Sequence, residues 1–335
     1  MSTVRVGMIG AGYISAEHAR AWRELGVELT IHAVAGAKEL AHDHGAEVAD
    51  TLDELLDRSD LVDVITPTAT HAELVTTALE AGKDVVCEKP LTADLTSAHA
   101  LRETAQRTGR QLFPGQVVRY DPAYHAVHKA IGLRRLGDLA VLRYERSGLA
   151  PKSAWYADES TSGGIVMDLM IHDIDQAIWN AGPVTSVHAT RRGLGSDEHS
   201  QIQAAHVVLT HESGTVSHVR GLWGAEGTTI RSAFSLYGTG GVIEHDSRDH
   251  SGVRLDFAAL ENTRRSGGYV PSDRLTESPF LTQLRDVYLA VTQGREVRTS
   301  LDEGIYSVEV CLAAIESLRS GNAVRLADML TEEEA

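Results

Sequence analysis

The stretch Thr3-Val-Arg-Val-Gly-Met-Ile-Gly-Ala-Gly-Tyr-Ile-Ser15 predicts a β-strand that runs into a glycine turn at the start of a helix. Gly10 allows a tight turn, and Gly12 lets the backbone approach a pyrophosphate at the helix N-terminus. Ser15 stands where the pattern G-x-G-x-x-G has its third glycine, and we expect it to loosen the packing of helix against strand slightly. The turn opens the first β-α-β unit, a context that favours dinucleotide binding. We expect these residues to contact the cofactor: Gly10, Gly12, Tyr13 and Ile14.

Strands and helices alternate along the first part of the chain. The predicted strands there are residues 3–9, 28–34, 61–65, 85–87 and 112–118. This alternation predicts an α/β Rossmann fold with a doubly wound parallel sheet. After Arg119 strands follow strands, which indicates a mostly antiparallel sheet in an α+β domain. Since 335 residues exceed the usual size of one core, we predict two domains, 1–119 and 120–335.

The composition of the chain limits the kinds of partner that the protein can bind. A formal net charge of −16 argues against nucleic acid and against an anionic membrane surface, because both require a basic footprint. The cysteines, Cys87 and Cys311, are too few for a disulfide framework or a cysteine-based zinc site. The first strand begins by Val4, which leaves no room for a signal peptide, and no apolar stretch reaches membrane-spanning length. We therefore expect a cytoplasmic protein.

Lys89 follows the predicted strand 85–87, inside the tripeptide Glu88-Lys89-Pro90. Open α/β sheets bind ligands beyond the carboxyl ends of their strands. Pro90 biases Lys89 toward an extended conformation, so the strand end can aim an ammonium group into a site. A solvated lysine before a loop is the alternative interpretation.

The second strand lacks the acid that NAD-binding proteins usually carry at its end to hold the ribose 2′-hydroxyl. No carboxylate follows Leu29 until Glu39. Its absence removes the repulsion that excludes a 2′-phosphate, and His32 and Lys38 are candidates to meet such a group. Both NAD and NADP stay open, and the pattern slightly favours NADP.

A second group of polar residues lies on the predicted helix 164–181. Asp168 and His172 are four residues apart, hence one helical turn apart on the same face. A carboxylate beside an imidazole orients the ring and raises its basicity, as a general base requires. A purely structural pair is one alternative. A metal site is another, although no third ligand recurs at metal-binding spacing.

Three motifs, namely the glycine turn, the tripeptide at 88–90 and the Asp168-x-x-x-His172 pair, together resemble the glucose–fructose oxidoreductase/inositol dehydrogenase (Gfo/Idh/MocA) family. The resemblance covers nearly the whole chain. It implies an NAD(P)-dependent oxidoreductase that transfers a hydride between a nicotinamide cofactor and a secondary alcohol of a sugar, sugar derivative or inositol. It also implies that the second domain carries an open-faced, mostly antiparallel sheet and that the protein forms a homo-oligomer, a dimer or tetramer.

The resemblance also assigns roles to particular residues. The catalytic residues are Lys89, Asp168 and His172; the nicotinamide side is lined by Thr66, Pro67, His71 and Glu88; the substrate lies near Arg119, Tyr120 and Trp155. In this chemistry the histidine takes the hydroxyl proton and the lysine stabilises negative charge on the reacting oxygen. Two other activities stay open: an NAD-dependent glycosidase that works by transient oxidation, and a non-catalytic dinucleotide-binding regulatory protein.

Overall fold

The parallel sheet predicted for the first part of the chain is present. The computed structural model describes residues 4–151, 159–194, 202–249, 253–257, 267–270 and 277–332. The six strands are Arg5–Ile9 (β1), Glu28–His32 (β2), Glu47–Val48 (β3), Leu61–Val64 (β4), Asp84–Glu88 (β5) and Leu112–Gly115 (β6). They are all parallel, in the order β3-β2-β1-β4-β5-β6. Chain order reverses between β1 and β4, which is where doubly wound sheets bind ligands.

A helix lies in each connection between successive strands of this sheet. The helices are Ser15–Glu24 (α1), Ala37–His44 (α2), Leu52–Asp57 (α3), His71–Glu80 (α4) and Leu95–Thr108 (α5). Two of them begin at side chains that accept hydrogen bonds from the first turn: Thr51 Oγ1 accepts from Glu54 N (3.1 Å), and Asp94 Oδ1 accepts from Ser97 N (2.7 Å). These caps satisfy N–H groups that have no partner within the helix and so fix where each helix starts.

A C-terminal segment belongs to the same compact unit as this sheet. That unit comprises residues 1–121 and 277–308. Its later part contains the helix Pro279–Gln293, whose apolar side chains share a buried core with Trp22 of α1. The second unit comprises residues 122–276 and 309–335. The predicted domain division at residue 119 stays a prediction.

The second unit contains a nine-stranded sheet. Its strands are Leu139–Leu149 (β7), Val184–Leu194 (β8), Ile202–His211 (β9), Val216–Gly224 (β10), Arg231–Gly238 (β11), Gly241–Asp246 (β12), Val253–Phe257 (β13), Gly267–Val270 (β14) and Val324–Arg325 (β15). Their order is β14-β13-β12-β11-β7-β10-β9-β8-β15. Every pair is antiparallel except β7 with β10. The predicted fold class, a Rossmann sheet plus a mostly antiparallel sheet, is confirmed.

The two faces of this sheet differ in burial. On one face, Tyr144 of β7 is buried and its hydroxyl accepts a hydrogen bond from Asn180 Nδ2 (3.0 Å) in the helix Ile171–Ala181. Along β10, buried Val219 lies between exposed His218 and Arg220. Alternation of this kind is typical of a sheet with a helix layer on one face and polar side chains on the other.

The remaining helices are Pro122–Gly132, Glu159–Ser162, Leu301–Ser320 and Leu326–Glu332. The sequence patterns predict neither the first of these helices nor the strand β7. The strand lies between β10 and β11, in the middle of the sheet. Its inward residues Leu142 and Tyr144 are buried, whereas Arg143 is exposed between them. Charged residues inside a central strand obscure its apolar pattern when only the sequence is read.

Candidate active site

Gly10 lies at the carboxyl end of β1, where the chain order of the sheet reverses. Its φ is +117°, and a Cβ there would lie 2.2 Å from the carbonyl oxygen of Ile65. Its N–H donates to the carbonyl oxygen of His32 at the end of β2 (2.9 Å). The turn is therefore fixed between the ends of β2 and β4, and only glycine fits at this position.

Open space lies beside the turn at Gly12, where an added Cβ would have no neighbour within 4 Å. The side chain of Tyr13 is exposed next to it. Ser15 is fully buried, and its Oγ accepts a hydrogen bond from the N–H of Gly12 (3.0 Å). The serine is therefore bonded to the turn at a buried position, and the expected loosening of helix against strand stays a prediction. The open space at the start of α1 fits a pyrophosphate.

β2 ends at His32, which is partly buried. The carbonyl oxygen of Ala49 lies 3.0 Å from His32 Nδ1. Because a carbonyl only accepts, Nδ1 donates this hydrogen bond. Lys38, in α2, is exposed. The His32 ring at the end of β2 and the Lys38 ammonium group are the polar side-chain groups that precede Glu39 here.

Lys89 lies immediately beyond the carboxyl end of β5, and the Lys89–Pro90 peptide bond is cis. His71, at the start of α4, bridges two strand ends. Its Nε2 lies 2.8 Å from the carbonyl oxygen of Thr66, after β4, and its Nδ1 lies 2.9 Å from that of Pro90. Burial lowers the pKa of His71, so the neutral ring donates to one carbonyl at a time. The buried ring connects the segment after β4 with the segment after β5.

A buried cluster that the sequence analysis does not identify lies beneath this edge of the sheet. His18 of α1 contacts two carboxylates: Nδ1 lies 2.8 Å from Asp63 Oδ2, and Nε2 lies 3.2 Å from Glu88 Oε1. The indole N–H of Trp22 also donates to Asp63 Oδ2 (2.7 Å). Burial opposes charge on the ring, but the two carboxylates prevail and raise the pKa of His18 to about 10. In turn His18 holds the pKa of Glu88 below its usual value, against the effect of burial.

Two sequence signals could have identified this cluster. His18 falls on the same stripe of α1 as buried Ala19 and Trp22. Asp63 interrupts an otherwise apolar strand, β4, all of which is buried. A polar side chain at a buried position requires a partner, so each signal predicts another polar group nearby.

Arg119 and Tyr120 are buried by contacts within the first unit. The Arg119 guanidinium donates to Glu303 Oε1 (2.6 Å), and the Tyr120 hydroxyl donates to Asp286 Oδ2 (2.9 Å). The guanidinium carbon of Arg298 lies 4.4 Å from the centre of the Tyr120 ring. Burial, followed by the charge of Asp286, raises the pKa of Tyr120. These bonds hold both side chains in the packed interior of the first unit. Contact of either residue with a substrate stays a prediction.

Asp168 and His172 lie in the second unit, at the start of one helix. A π-helical turn, Val166–Met170, leads directly into the helix Ile171–Ala181. Gly163, just before it, has a φ of +68°, and a Cβ there would lie 2.4 Å from a side-chain atom of the π-turn. The sequence predicts an ordinary α-helical spacing for the pair, and the π-turn replaces it. Single π-turns occur frequently at functional sites.

The residue after His172 anchors this helix to the sheet. Asp173 is fully buried and accepts two hydrogen bonds from Arg146 of β7, from Nε and from Nη2, each 2.9 Å long. The same Nη2 donates to the hydroxyl oxygen of Tyr124 (3.2 Å). This bidentate pair fixes the helix turn that carries His172.

The predicted site residues thus form two groups, one in each compact unit. The first unit brings the glycine turn, Thr66, His71, Glu88 and Lys89 to one edge of the parallel sheet, and the second places Asp168 and His172 on one helix. Trp155 lies outside the described residues. Over the described ranges, no cluster of three or more histidine, cysteine, aspartate or glutamate side chains is suited to a metal ion. Likewise, none of the helices described has the length and apolar character needed to cross a membrane.

Two family models match the chain. Residues 4–116 match the model described as an oxidoreductase family with an NAD-binding Rossmann fold. Residues 124–244 match the model of the GFO/IDH/MocA C-terminal domain. The two matches cover the parallel sheet and, in the second sheet, β7 to β11 with most of β12, and they confirm the resemblance predicted from the motifs.

Individual relatives are similar over most of the chain. Inositol 2-dehydrogenase of Rhizobium meliloti (strain 1021) is 27% identical over 97% of this chain and 100% of its own length. The scyllo-inositol 2-dehydrogenase (NAD(+)) of Bacillus subtilis (strain 168) is 29% identical over 80% of this chain and 78% of its own. Among solved structures, GenD2 from gentamicin A biosynthesis, in complex with NAD, has a TM-score of 0.85 and 26% identity and covers 97% of each chain.

Proposed function

We propose that this chain, which belongs to the Gfo/Idh/MocA oxidoreductase family, oxidises a secondary alcohol of a sugar, sugar derivative or inositol with NAD or NADP. The observation that carries the proposal is the position of Lys89, immediately beyond β5 on the edge of the sheet that also holds the Gly10 turn. Relatives named as inositol dehydrogenases support the substrate class.

The residues at this edge fit a dinucleotide. Gly10 makes the turn, and the open space at Gly12 leaves room for a pyrophosphate at the start of α1. We propose that Tyr13 and Ile14 contact the cofactor as well, with Thr66, Pro67, His71 and Glu88 on the nicotinamide side. When bound, the nicotinamide supplies the hydride acceptor.

The chain's own residues accept the hydroxyl proton of the substrate and stabilise the negative charge on its oxygen. His172 takes the proton of the substrate hydroxyl as the hydride leaves the same carbon, and Asp168 orients its ring. Lys89 donates a hydrogen bond to the reacting oxygen and stabilises the negative charge that develops there. For this to happen the lysine of the first unit and the histidine of the second must meet at one substrate oxygen. Arg119, Tyr120 and Trp155 complete the proposed substrate side.

The test is a kinetic comparison of Lys89→Ala and His172→Ala with the unchanged protein. Both variants should lose turnover by roughly 100-fold or more, since removing one stabilising donor at a reacting oxygen has that effect. Cofactor affinity should be retained. Lys129→Ala, which removes an exposed lysine, is the matched control. Turnover within a factor of three in either site variant would contradict the assignment.

The same assay separates the dehydrogenase from the two other activities. A dehydrogenase reduces exchangeable NAD or NADP in proportion to the polyol consumed. The absorbance of the reduced cofactor measures this across a panel of sugars and inositols. A glycosidase that works by transient oxidation would release sugar without net reduction. A regulatory protein would bind cofactor and turn over none of the panel.

For the finer choice of cofactor, we propose a slight preference for NADP. No carboxylate follows β2 before Glu39, and His32 with Lys38 offers polar groups to a 2′-phosphate. Titration of both cofactors tests this, and 100-fold tighter binding of NAD would refute it. His32→Asp should shift the preference toward NAD, because a carboxylate repels the 2′-phosphate and accepts from the ribose hydroxyl.

We further propose that the protein is a cytoplasmic homo-oligomer, a dimer or tetramer. Both cysteines are buried as free thiols, which suits a reducing compartment. Membership of the Gfo/Idh/MocA family supports the oligomer. Sedimentation equilibrium measures the subunit count, and a monomer at micromolar concentration would contradict the proposal.

A further inference from the structure

We propose that His18 is a positioning residue, held as an imidazolium between two buried carboxylates, which fixes Lys89 through Glu88. The inference rests on the proposed function, because it concerns the placement of the catalytic lysine. None of the sequence motifs includes His18.

Glu88 is the physical link between His18 and Lys89. Its Oε1 lies 3.2 Å from His18 Nε2, and its Oε2 accepts a hydrogen bond from the backbone N–H of Lys89 (3.1 Å). One carboxylate therefore connects a ring on α1 to the backbone of the residue that follows β5. Since Glu88 is also the last residue of β5, a change in its side chain acts directly on the strand end.

The other side of the ring holds His18 itself in place. Asp63 Oδ2 accepts from both His18 Nδ1 (2.8 Å) and Trp22 Nε1 (2.7 Å). The side chains of His18 and Asp63 are 1% and 0% exposed, so water does not compete for these bonds. The ring of Phe280 covers His18 at 5.2 Å between centroids. The imidazole has one orientation available, in which its second nitrogen faces Glu88.

The arrangement requires a charged ring. A neutral imidazole has one N–H and would leave one carboxylate facing a lone pair, whereas the imidazolium donates to both. The high pKa of His18, about 10, agrees with this count of donors. Other titratable groups near the cluster are Cys87, whose thiol is buried, His71 and Lys89, all within electrostatic reach of Glu88.

Lys89 is thus held from two directions by buried histidines. His71 contacts the carbonyl oxygen of Pro90, on the residue after the lysine, and His18 acts through Glu88, on the residue before it. A catalytic group must keep its position to within a fraction of an ångström, and a misplacement of about 1 Å can reduce the rate about 100-fold. The two contacts restrain the backbone on both sides of Lys89.

The first test does not depend on activity. ¹⁵N NMR of histidine-labelled protein at pH 8, with and without bound cofactor, should show one ring with both nitrogens protonated. That signal should be missing from His18→Gln, which assigns it. A neutral His18 ring at pH 8 would overturn the proposal.

The second test compares His18→Gln with Trp22→Phe, which removes the indole donor to Asp63, on a polyol substrate. Both variants disturb the buried cluster and should lower the melting temperature, but only His18→Gln removes the ring that contacts Glu88. We expect kcat to fall roughly 10- to 100-fold in His18→Gln, with cofactor Kd and substrate KM within about threefold. In Trp22→Phe, which keeps His18 and both carboxylates, kcat should stay within about threefold.

Two outcomes separate this inference from the proposed function. If Lys89→Ala abolishes turnover while a folded His18→Gln keeps full kcat, the positioning role is wrong and the dehydrogenase assignment stands. If Lys89→Ala keeps its turnover, the proposed function itself fails. Equal losses of kcat in His18→Gln and Trp22→Phe would mean that the cluster acts only through stability, which also overturns the positioning role. Should His18→Gln not fold, His18→Asn takes its place and should reproduce the loss of kcat.

Discussion

The two sheets each carry a cluster of charged side chains, and the clusters differ in their access to water. In the first unit, His18, Asp63 and Glu88 have exposed side-chain fractions of 1%, 0% and 11%. On the nine-stranded sheet a second set runs across neighbouring strands, with exposed fractions between 19% and 46%. We call this set the sheet ladder, and its members are Arg220, Glu145, Arg231 and Asp246.

The sheet ladder is built from direct ion pairs. Glu145 of β7 accepts from Arg220 of β10 (3.3 Å) and from Arg231 of β11, and Arg231 also contacts Asp246 of β12 (2.8 Å). Its partners are oriented by the sheet, but water solvates each of them. In the buried cluster, hydrogen bonds between protein groups take the place of water at the His18 ring and at Asp63 Oδ2. Similar charges therefore restrain a strand end in the buried His18 cluster and contribute little to stability in the exposed sheet ladder.

The largest effect that the comparison predicts is for Asp63→Ala. The substitution leaves a buried imidazolium with one carboxylate and removes the acceptor of the Trp22 indole. We expect the free energy of unfolding to fall by about 3 to 5 kcal/mol, the usual result of breaking a buried ion pair. Urea denaturation measures this, and Asp60→Ala, at an exposed pair with Arg5, is the control. A loss below about 1 kcal/mol would remove the distinction between the two clusters.

The charge of His18 also predicts how stability depends on pH. Its pKa in the folded protein, about 10, is above the ordinary histidine pKa of 6.5, so its contribution to stability is complete below pH 6.5 and is lost as the pH rises toward 10. Between pH 7 and pH 9 we expect the free energy of unfolding to fall by roughly 2 to 3 kcal/mol. His18→Gln should lack this fall. Parallel curves for the two proteins would contradict the assigned charge.

Periodicity and turn chemistry were sufficient to predict most of the fold. The glycine turn at Gly10 and the alternation of strands and helices predict the parallel sheet, because both signals are local. β7 was missed because Arg143 and Glu145 interrupt its apolar pattern, and their partners lie on other strands.

The candidate site could be predicted only where a motif marks it. Lys89 and His172 stand in recognisable motifs, whereas His18 and Asp63 are 45 positions apart and no local pattern joins them. A sequence shows that a buried polar residue needs a partner but does not show which residue that partner is. The π-turn at Val166–Met170 has no distinct sequence signal either, since its residues are compatible with an α-helix.

The pair Arg146–Asp173 is intermediate in burial between the His18 cluster and the sheet ladder. Asp173 is fully buried and Arg146 is 13% exposed, and the pair connects β7 to the helix that carries His172. Arg146→Met should lower the free energy of unfolding by about 2 kcal/mol, because a buried carboxylate loses a bidentate partner while Met keeps part of the packing. Guanidinium titration measures this. Unchanged stability would show that burial of one partner is not sufficient to make a pair costly to break.

The smallest effect is expected in the sheet ladder. Arg220→Ala removes an exposed guanidinium from one end of the set and leaves Arg231 in contact with Glu145. The free energy of unfolding should change by less than about 1 kcal/mol, and the change should shrink further in high salt, because ions screen exposed charges. Urea titrations in low and high salt measure both quantities. A loss as large as that of Asp63→Ala, and insensitive to salt, would mean that the ladder is shielded from water, as it would be if a second copy of the chain covered this face of the sheet.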